Sequence, residues 1–147
     1  AFIDTITHSY EVDDTSTILM KFKNGAQGVV DNFFNIPDQA AKNMLEIYGT
    51  KGAVITHNTI GQDSAGKMWL YLESGNQGYS SQQARTQDAY QEVVLEPISM
   101  YAQEFDAFSD WIQIGEKPVI HYEAGVRNFR IIEAAYQSSK ERRAVKL

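Results

Sequence analysis

The stretch Thr15-Ser16-Thr17-Ile18-Leu19-Met20-Lys21-Phe22-Lys23-Asn24-Gly25-Ala26 decides the fold class. Ile18, Met20 and Phe22 recur at every second residue, the period at which side chains share one face of a strand, and Asn24-Gly25 follows at once. Asn-Gly is the pair favoured where a two-residue hairpin turn holds both central residues at positive φ. The spacing therefore predicts a hairpin. Its return strand, Ala26 to Ile36, carries Val29 and Phe33 on one face and Val30, Phe34 and Ile36 on the other, until Pro37 ends it.

Outward from this hairpin the period of two persists. Phe2 to Thr7 alternates upstream. Downstream, Asn43 to Tyr48 turns at Gly49-Thr50-Lys51-Gly52 into Ala53-Val54-Ile55-Thr56, a second hairpin. Lys67 to Glu73 and Gln91 to Glu96 form a further pair around the polar run Ser74 to Asp88, which reads as a long mobile loop. After Pro97 the period changes. Tyr101, Phe105, Phe108 and Ile112 step by helical intervals behind a possible Ser99 cap, and Gly115 and Pro118 stop the helix. A second helix, from about Glu123 to Arg142, turns Val126, Phe129, Ile132 and Tyr136 inward, with Glu123 near its positive end and Lys140, Arg142 and Arg143 near its negative end. Strands first and helices last predict an α+β domain: an open, mostly antiparallel sheet with helices packed on one face. A parallel nucleotide-binding sheet is not expected within these residues.

Composition narrows the function. The 147 residues carry a net charge of −6, and their basic residues are scattered apart from Lys140, Arg142, Arg143 and Lys146, which disfavours nucleic-acid binding. No window approaches the roughly eighteen apolar residues of a membrane span. The absence of cysteine rules out disulfides and thiol catalysis, and fits a cytoplasmic location. The chain opens on Ala1 directly in a strand-like stretch, so it is read as part of a longer polypeptide. No G-x-G-x-x-G, P-loop, H-E-x-x-H, G-x-S-x-G or EF-hand loop occurs. No cofactor is expected to bind this chain by itself. His8, His57 and His121 lie far apart and are read as surface or structural residues, so no metal is assigned. Glu11, Asp13 and Asp14 are taken as a solvated turn, and Tyr101, Phe105, Phe108 and Trp111 as core.

Two places remain for chemistry. The loop Ile36-Pro37-Asp38-Gln39-Ala40-Ala41-Lys42, with Asn35 just before it, offers an acid, an amide and an amine at one sheet end. Asn35, Asp38, Gln39 and Lys42 are therefore substrate-adjacent candidates, since such groups match hydroxyls that both donate and accept. The second place is a sheet face. If Ile18, Met20, Phe22, Leu45, Ile47, Met68, Leu70 and Leu72 lie under the helices, then Glu46, Tyr48, Trp69 and Tyr71 project the other way. A second aromatic face is covered by another subunit, another domain or a ligand. We assign it to a homo-oligomer interface.

The run Val12 to Ala26, the string Leu45-Glu46-Ile47-Tyr48-Gly49-Thr50-Lys51-Gly52-Ala53, and Ile132-Glu133-Ala134-Ala135-Tyr136-Gln137-Ser138 with the closing Ala144-Val145-Lys146-Leu147 carry a further reading. In order and spacing they resemble the C-terminal domain of the glucose-fructose oxidoreductase, inositol dehydrogenase and rhizopine-catabolism (Gfo/Idh/MocA) family. The resemblance spans nearly the whole chain, and the domain is taken as residues 1–147. It implies an N-terminal Rossmann domain, absent from this chain, that binds NAD or NADP. It also implies that the present domain shapes the pocket for a sugar, polyol or related substrate and forms the oligomer interface. The family's E-K-P motif follows a Rossmann strand, whereas Glu116-Lys117-Pro118 lies between the two helices. No catalytic residue is carried over, and the isolated chain is expected to be inactive. The alternative is a free-standing α+β binding or assembly module without cofactor.

Overall fold

The computed structural model describes residues 1–73 and 90–147, so the loop expected over Ser74 to Asp88 lies outside the described residues. The elements run β1 (Phe2–Asp4), β2 (Thr15–Lys21), β3 (Gln27–Phe33), a 3-10 turn (Asp38–Ala40), β4 (Met44–Gly49), β5 (Gly52–His57), β6 (Lys67–Leu72), β7 (Gln91–Val93), α1 (Met100–Ile114) and α2 (Tyr122–Glu141). Among the described residues all strand pairs are antiparallel, and the α+β reading holds. The strands form two open sheets, ordered β1-β2-β3 and β4-β5-β6-β7. They belong to two compact units: residues 1–41 with 117–147, and residues 42–116.

In the first unit, β2 and β3 pair as the alternation requires, with Ile18 opposite Val30 and Met20 opposite Gly28. The turn between them differs from the expected one. Gly25 sits at φ 91, but Asn24 is not at positive φ. Gly25 N–H donates to Phe22 O at 2.9 Å and Phe22 N–H to Ala26 O at 2.8 Å, so the loop is longer than two residues and a single left-handed position closes it. Asn24 contributes its side chain instead, Oδ1 accepting from Ala26 N at 3.1 Å. Gly25→Val should therefore cost about 1–3 kcal/mol through backbone strain, and Asn24→Val distinctly less, as the loss of one exposed hydrogen bond. Denaturant midpoints of the two variants check this; equal losses would mean that both positions are strained.

Helix α2 belongs to the same unit and lies against β1, where Ile3 N–H donates to Ser139 Oγ at 3.1 Å. Glu123 in its first turn and Lys140 in its last match the helix dipole. Ala135 is buried on the inner side, but the stripe expected inward is largely open: Val126, Phe129, Ile132 and Tyr136 are exposed, Phe129 by 61%.

In the second unit the register of β4 to β7 follows the alternation. Thr56, 5% exposed, donates from Oγ1 to Leu45 O at 3.2 Å and accepts from Thr59 Oγ1 at 2.6 Å, locking β5 to β4. At Gly52 a Cβ would overlap the Tyr71 carbonyl oxygen, so only glycine allows β5 to pair so closely with β6 there. Helix α1 begins and ends where the sequence signals lie: Ser99 Oγ accepts from Ala102 N at 3.4 Å, and Gly115 closes the helix at φ 75. Its apolar stripe is not core, contrary to expectation. Tyr101, Phe105, Phe108 and Ile112 are exposed, Phe105 by 72%, and so are Leu45, Ile47 and Leu72 on the aliphatic sheet face. Helical period identifies an apolar stripe but does not supply the surface that meets it.

Candidate functional site

The loop after β3 is built by proline. Pro37 at φ −60 starts the 3-10 turn, with Ala40 N–H donating to Pro37 O at 2.8 Å and Ala41 N–H to Asp38 O at 3.2 Å. This turns Asp38 and Gln39 outward into solvent. Asn35, ahead of the turn, is half-buried, and its Oδ1 is buried without a hydrogen-bond partner among the described residues. Asn35, Asp38 and Gln39 fall in the first unit, while exposed Lys42 opens the second.

The aromatic face is assembled by register. Glu46 lies opposite Ile55 and Ile55 opposite Trp69; Tyr48 lies opposite Ala53 and Ala53 opposite Tyr71. Glu46, Tyr48, Trp69 and Tyr71 therefore share one face of the four-stranded sheet, as the alternation predicts. His57 joins them edge-on to Trp69 at 5.2 Å, and Tyr90 lies 5.9 Å from Tyr71. The face is polar at its rim. Tyr71 donates its hydroxyl to Glu73 Oε2 at 2.5 Å, and that bond, with partial burial and the carboxylate charge, raises the phenol pKa. Tyr48 is raised as well, by partial burial and then by the charge of Glu46 and its hydrogen bond. Both phenols thus stay protonated as donors at neutral pH. Tyr48 is 66% exposed, and Trp69 and Tyr71 are half-buried.

The acidic cluster Glu11, Asp13 and Asp14 is not the solvated turn expected. Glu11 is exposed, but Asp13 is half-buried and accepts from the Tyr136 hydroxyl, and Asp14 is 0% exposed. Asp14 Oδ1 accepts from Ile6 N at 2.8 Å, and Oδ2 from Thr7 N at 2.8 Å and His8 N at 3.0 Å. Burial alone would raise its pKa; the hydrogen bonds from Ile6, His8 and Thr7, with the nearby His8 charge, outweigh it and hold the carboxyl below the usual range. The signal that could have revealed this is an aspartate just before a strand, with a loop of free backbone donors upstream of it.

Beside this cluster, a cleft of about 570 Å³ is lined by Thr5, Glu11, Asp13, Tyr136, Lys140 and Arg142, and a cavity of about 210 Å³ lies between the three-stranded sheet and α2. Neither is lined by Asn35, Asp38, Gln39 or Lys42. His121, read as a surface or structural residue, caps α2. Sequence reasoning did not name it as a cap because histidine is outside the usual set of Ser, Thr, Asp and Asn. Among the described residues no group of three His, Asp or Glu could hold a metal ion, and no helix is long and apolar enough to cross a membrane.

Comparison with known proteins places this geometry. Over 135 residues, 91% of the chain, it is 28% identical to a protein named myo-inositol 2-dehydrogenase from Thermotoga maritima. The chain spans 36% of that relative's length. Residues 4–147 match the Gfo/Idh/MocA family described as "Oxidoreductase family, C-terminal alpha/beta domain". Antiparallel sheets, two late helices and the quoted strings agree with that match, and the chain belongs to the C-terminal α/β domain of this oxidoreductase family.

Proposed function

We propose that this domain serves a cytoplasmic NAD- or NADP-dependent oxidoreductase acting on a carbinol group of a sugar, polyol or related compound. In this reading it walls the substrate pocket and joins like subunits. The observation that carries the proposal is the family match across residues 4–147, with similarity over 91% of the chain to a protein named for acting on myo-inositol. When bound, the nicotinamide would accept or donate the hydride. The residues here do not fit its pyrophosphate: among the described residues all strand pairs are antiparallel, and neither helix follows a strand through a glycine-rich turn. Cofactor binding is therefore assigned to a separate nucleotide-binding domain. What this chain contributes is polar recognition. The Asp38 carboxylate and the Gln39 and Asn35 carbonyl oxygens accept from substrate hydroxyls, and Lys42 and the amide nitrogens donate to them.

The test compares the chain alone with the chain joined to its nucleotide-binding domain, following reduction of NAD or NADP with myo-inositol and a panel of sugars. Turnover is expected only for the joined protein. Asp38→Ala, Gln39→Ala and Lys42→Ala should each raise KM on the order of tenfold with kcat little changed, the loss of one hydrogen bond that forms equally in ground and transition states. Binding of NADH to the chain alone tighter than about 10 μM would overturn the cofactor assignment, and an unchanged KM in all three variants would remove the loop from the pocket.

A further inference from the structure

Helix α2 starts on an unusual residue. His121 has extended backbone, φ −136 and ψ −179, and its ring Nδ1 accepts from Glu123 N at 3.2 Å while its carbonyl oxygen accepts from Ala124 N at 2.9 Å. The imidazole thus takes the place usually held by a serine or aspartate oxygen. An aspartate or serine cap works at any ordinary pH, but an imidazole nitrogen accepts only while it lacks a proton. The ring is well enclosed, its side chain 16% exposed. Three other titratable groups surround it. The Glu123 carboxylate lies 3.9 Å from Nδ1, the Tyr122 ring stands 5.9 Å away, and Lys117 Nζ holds the same Glu123 oxygen at 3.2 Å while lying 5.6 Å from the Tyr122 ring.

We propose that His121 is a proton-operated cap on α2. In the neutral state Nδ1 closes the first turn, and Lys117 has the Glu123 carboxylate as its partner. When Nδ1 is protonated the acceptor is lost and an N–H points at the helix's own N–H groups, which repels. The charged ring then turns to the carboxylate already within 3.9 Å, competing with Lys117. One proton therefore exchanges a cap hydrogen bond for an ion pair, loosening both the first turn of α2 and the loop that Lys117 ties to it. The switch operates as the ring gains or loses its Nδ1 proton.

Amide and imidazole NMR of the full chain, followed from alkaline to acid pH, tests the proposal. The Glu123 amide signal is expected to titrate with the same midpoint as the His121 ring, and its hydrogen exchange, corrected for intrinsic pH dependence, to quicken on the order of tenfold on the acid side. His121→Ser, whose hydroxyl caps at every pH, should keep the helix by circular dichroism and abolish both responses. Glu123→Gln should move the ring's midpoint to lower pH, because the anion that welcomes the imidazolium is gone. A Glu123 amide that ignores the ring's titration in the native chain overturns the cap, and an unmoved midpoint in Glu123→Gln overturns the exchange of partners.

Discussion

Asp14→Asn lowers the thermal midpoint by on the order of 10 °C, the larger of two expected effects, because the carboxylate is the hub of its unit. Its two oxygens receive Ile6, Thr7 and His8, its own N–H donates to Asp4 O at 3.0 Å, and its carbonyl oxygen accepts from Phe34 N at 2.8 Å. An asparagine of the same shape keeps one acceptor but turns an amide N–H₂ toward backbone donors, leaving them unpaired in a buried place. The pH dependence follows from the depressed folded-state pKa. A carboxyl whose pKa is lower folded than unfolded contributes stability that is complete above the unfolded value, about 3.9, and is lost as pH falls through the folded value. The native chain should therefore lose stability in acid below about pH 4, and Asp14→Asn should lack that part of the acid loss. Calorimetry of both proteins from neutral to acid pH checks the midpoint and the slope together. A variant within a degree or two of the parent would mean that the loop's N–H groups find water instead.

The second large effect is on assembly. Trp69→Glu with Tyr71→Lys places charges in the middle of the face formed with Glu46 and Tyr48, and should convert an associating domain into a monomer. Aromatic side chains dominate the energetics of such surfaces, and here the Tyr71 hydroxyl is held by Glu73 and the Tyr48 hydroxyl by Glu46, so their rings are fixed at the rim of the face. Analytical ultracentrifugation at about 100 μM, where even a modest interface is populated, measures the mass of each protein, with circular dichroism as the folding control. A monomeric parent removes the proposed interface; two dimers relocate it to another surface.

What the sequence made legible was local. The β2–β3 and β4–β5 hairpins, the Ser99 and Gly115 helix signals and the shared face of Glu46, Tyr48, Trp69 and Tyr71 each follow from periods and turn chemistry within short stretches of chain. Information that needed distant partners was not legible. Alternation in β4 gives the face of Tyr48 but not whether the strands complete one sheet or two. Phe105 and Phe129 announce apolar stripes without saying what covers them. Asp14 looked like one more acid in a turn because its ligands are backbone N–H groups, which every residue but proline owns and which no side-chain pattern can mark. His121 was read as surface or structural, and its cap role depends on which ring nitrogen meets the helix.

The bond from Ile3 to Ser139 spans 136 residues of sequence, and it joins elements on either side of an uninterrupted segment, residues 42–116, that forms the second unit. Chains are made in one direction. Ribosomal synthesis therefore delivers the four-stranded unit whole while β1, β2 and β3 still wait for α2, the helix against which β1 rests. Local pairings close quickly and distant ones slowly, so the inserted unit matures first and the surrounding unit last, with the β1 edge open to mispairing in the interval. A chain stalled before Tyr122 would display a finished second unit beside an unfinished first one, and chaperone contacts during synthesis would concentrate on residues 1–41.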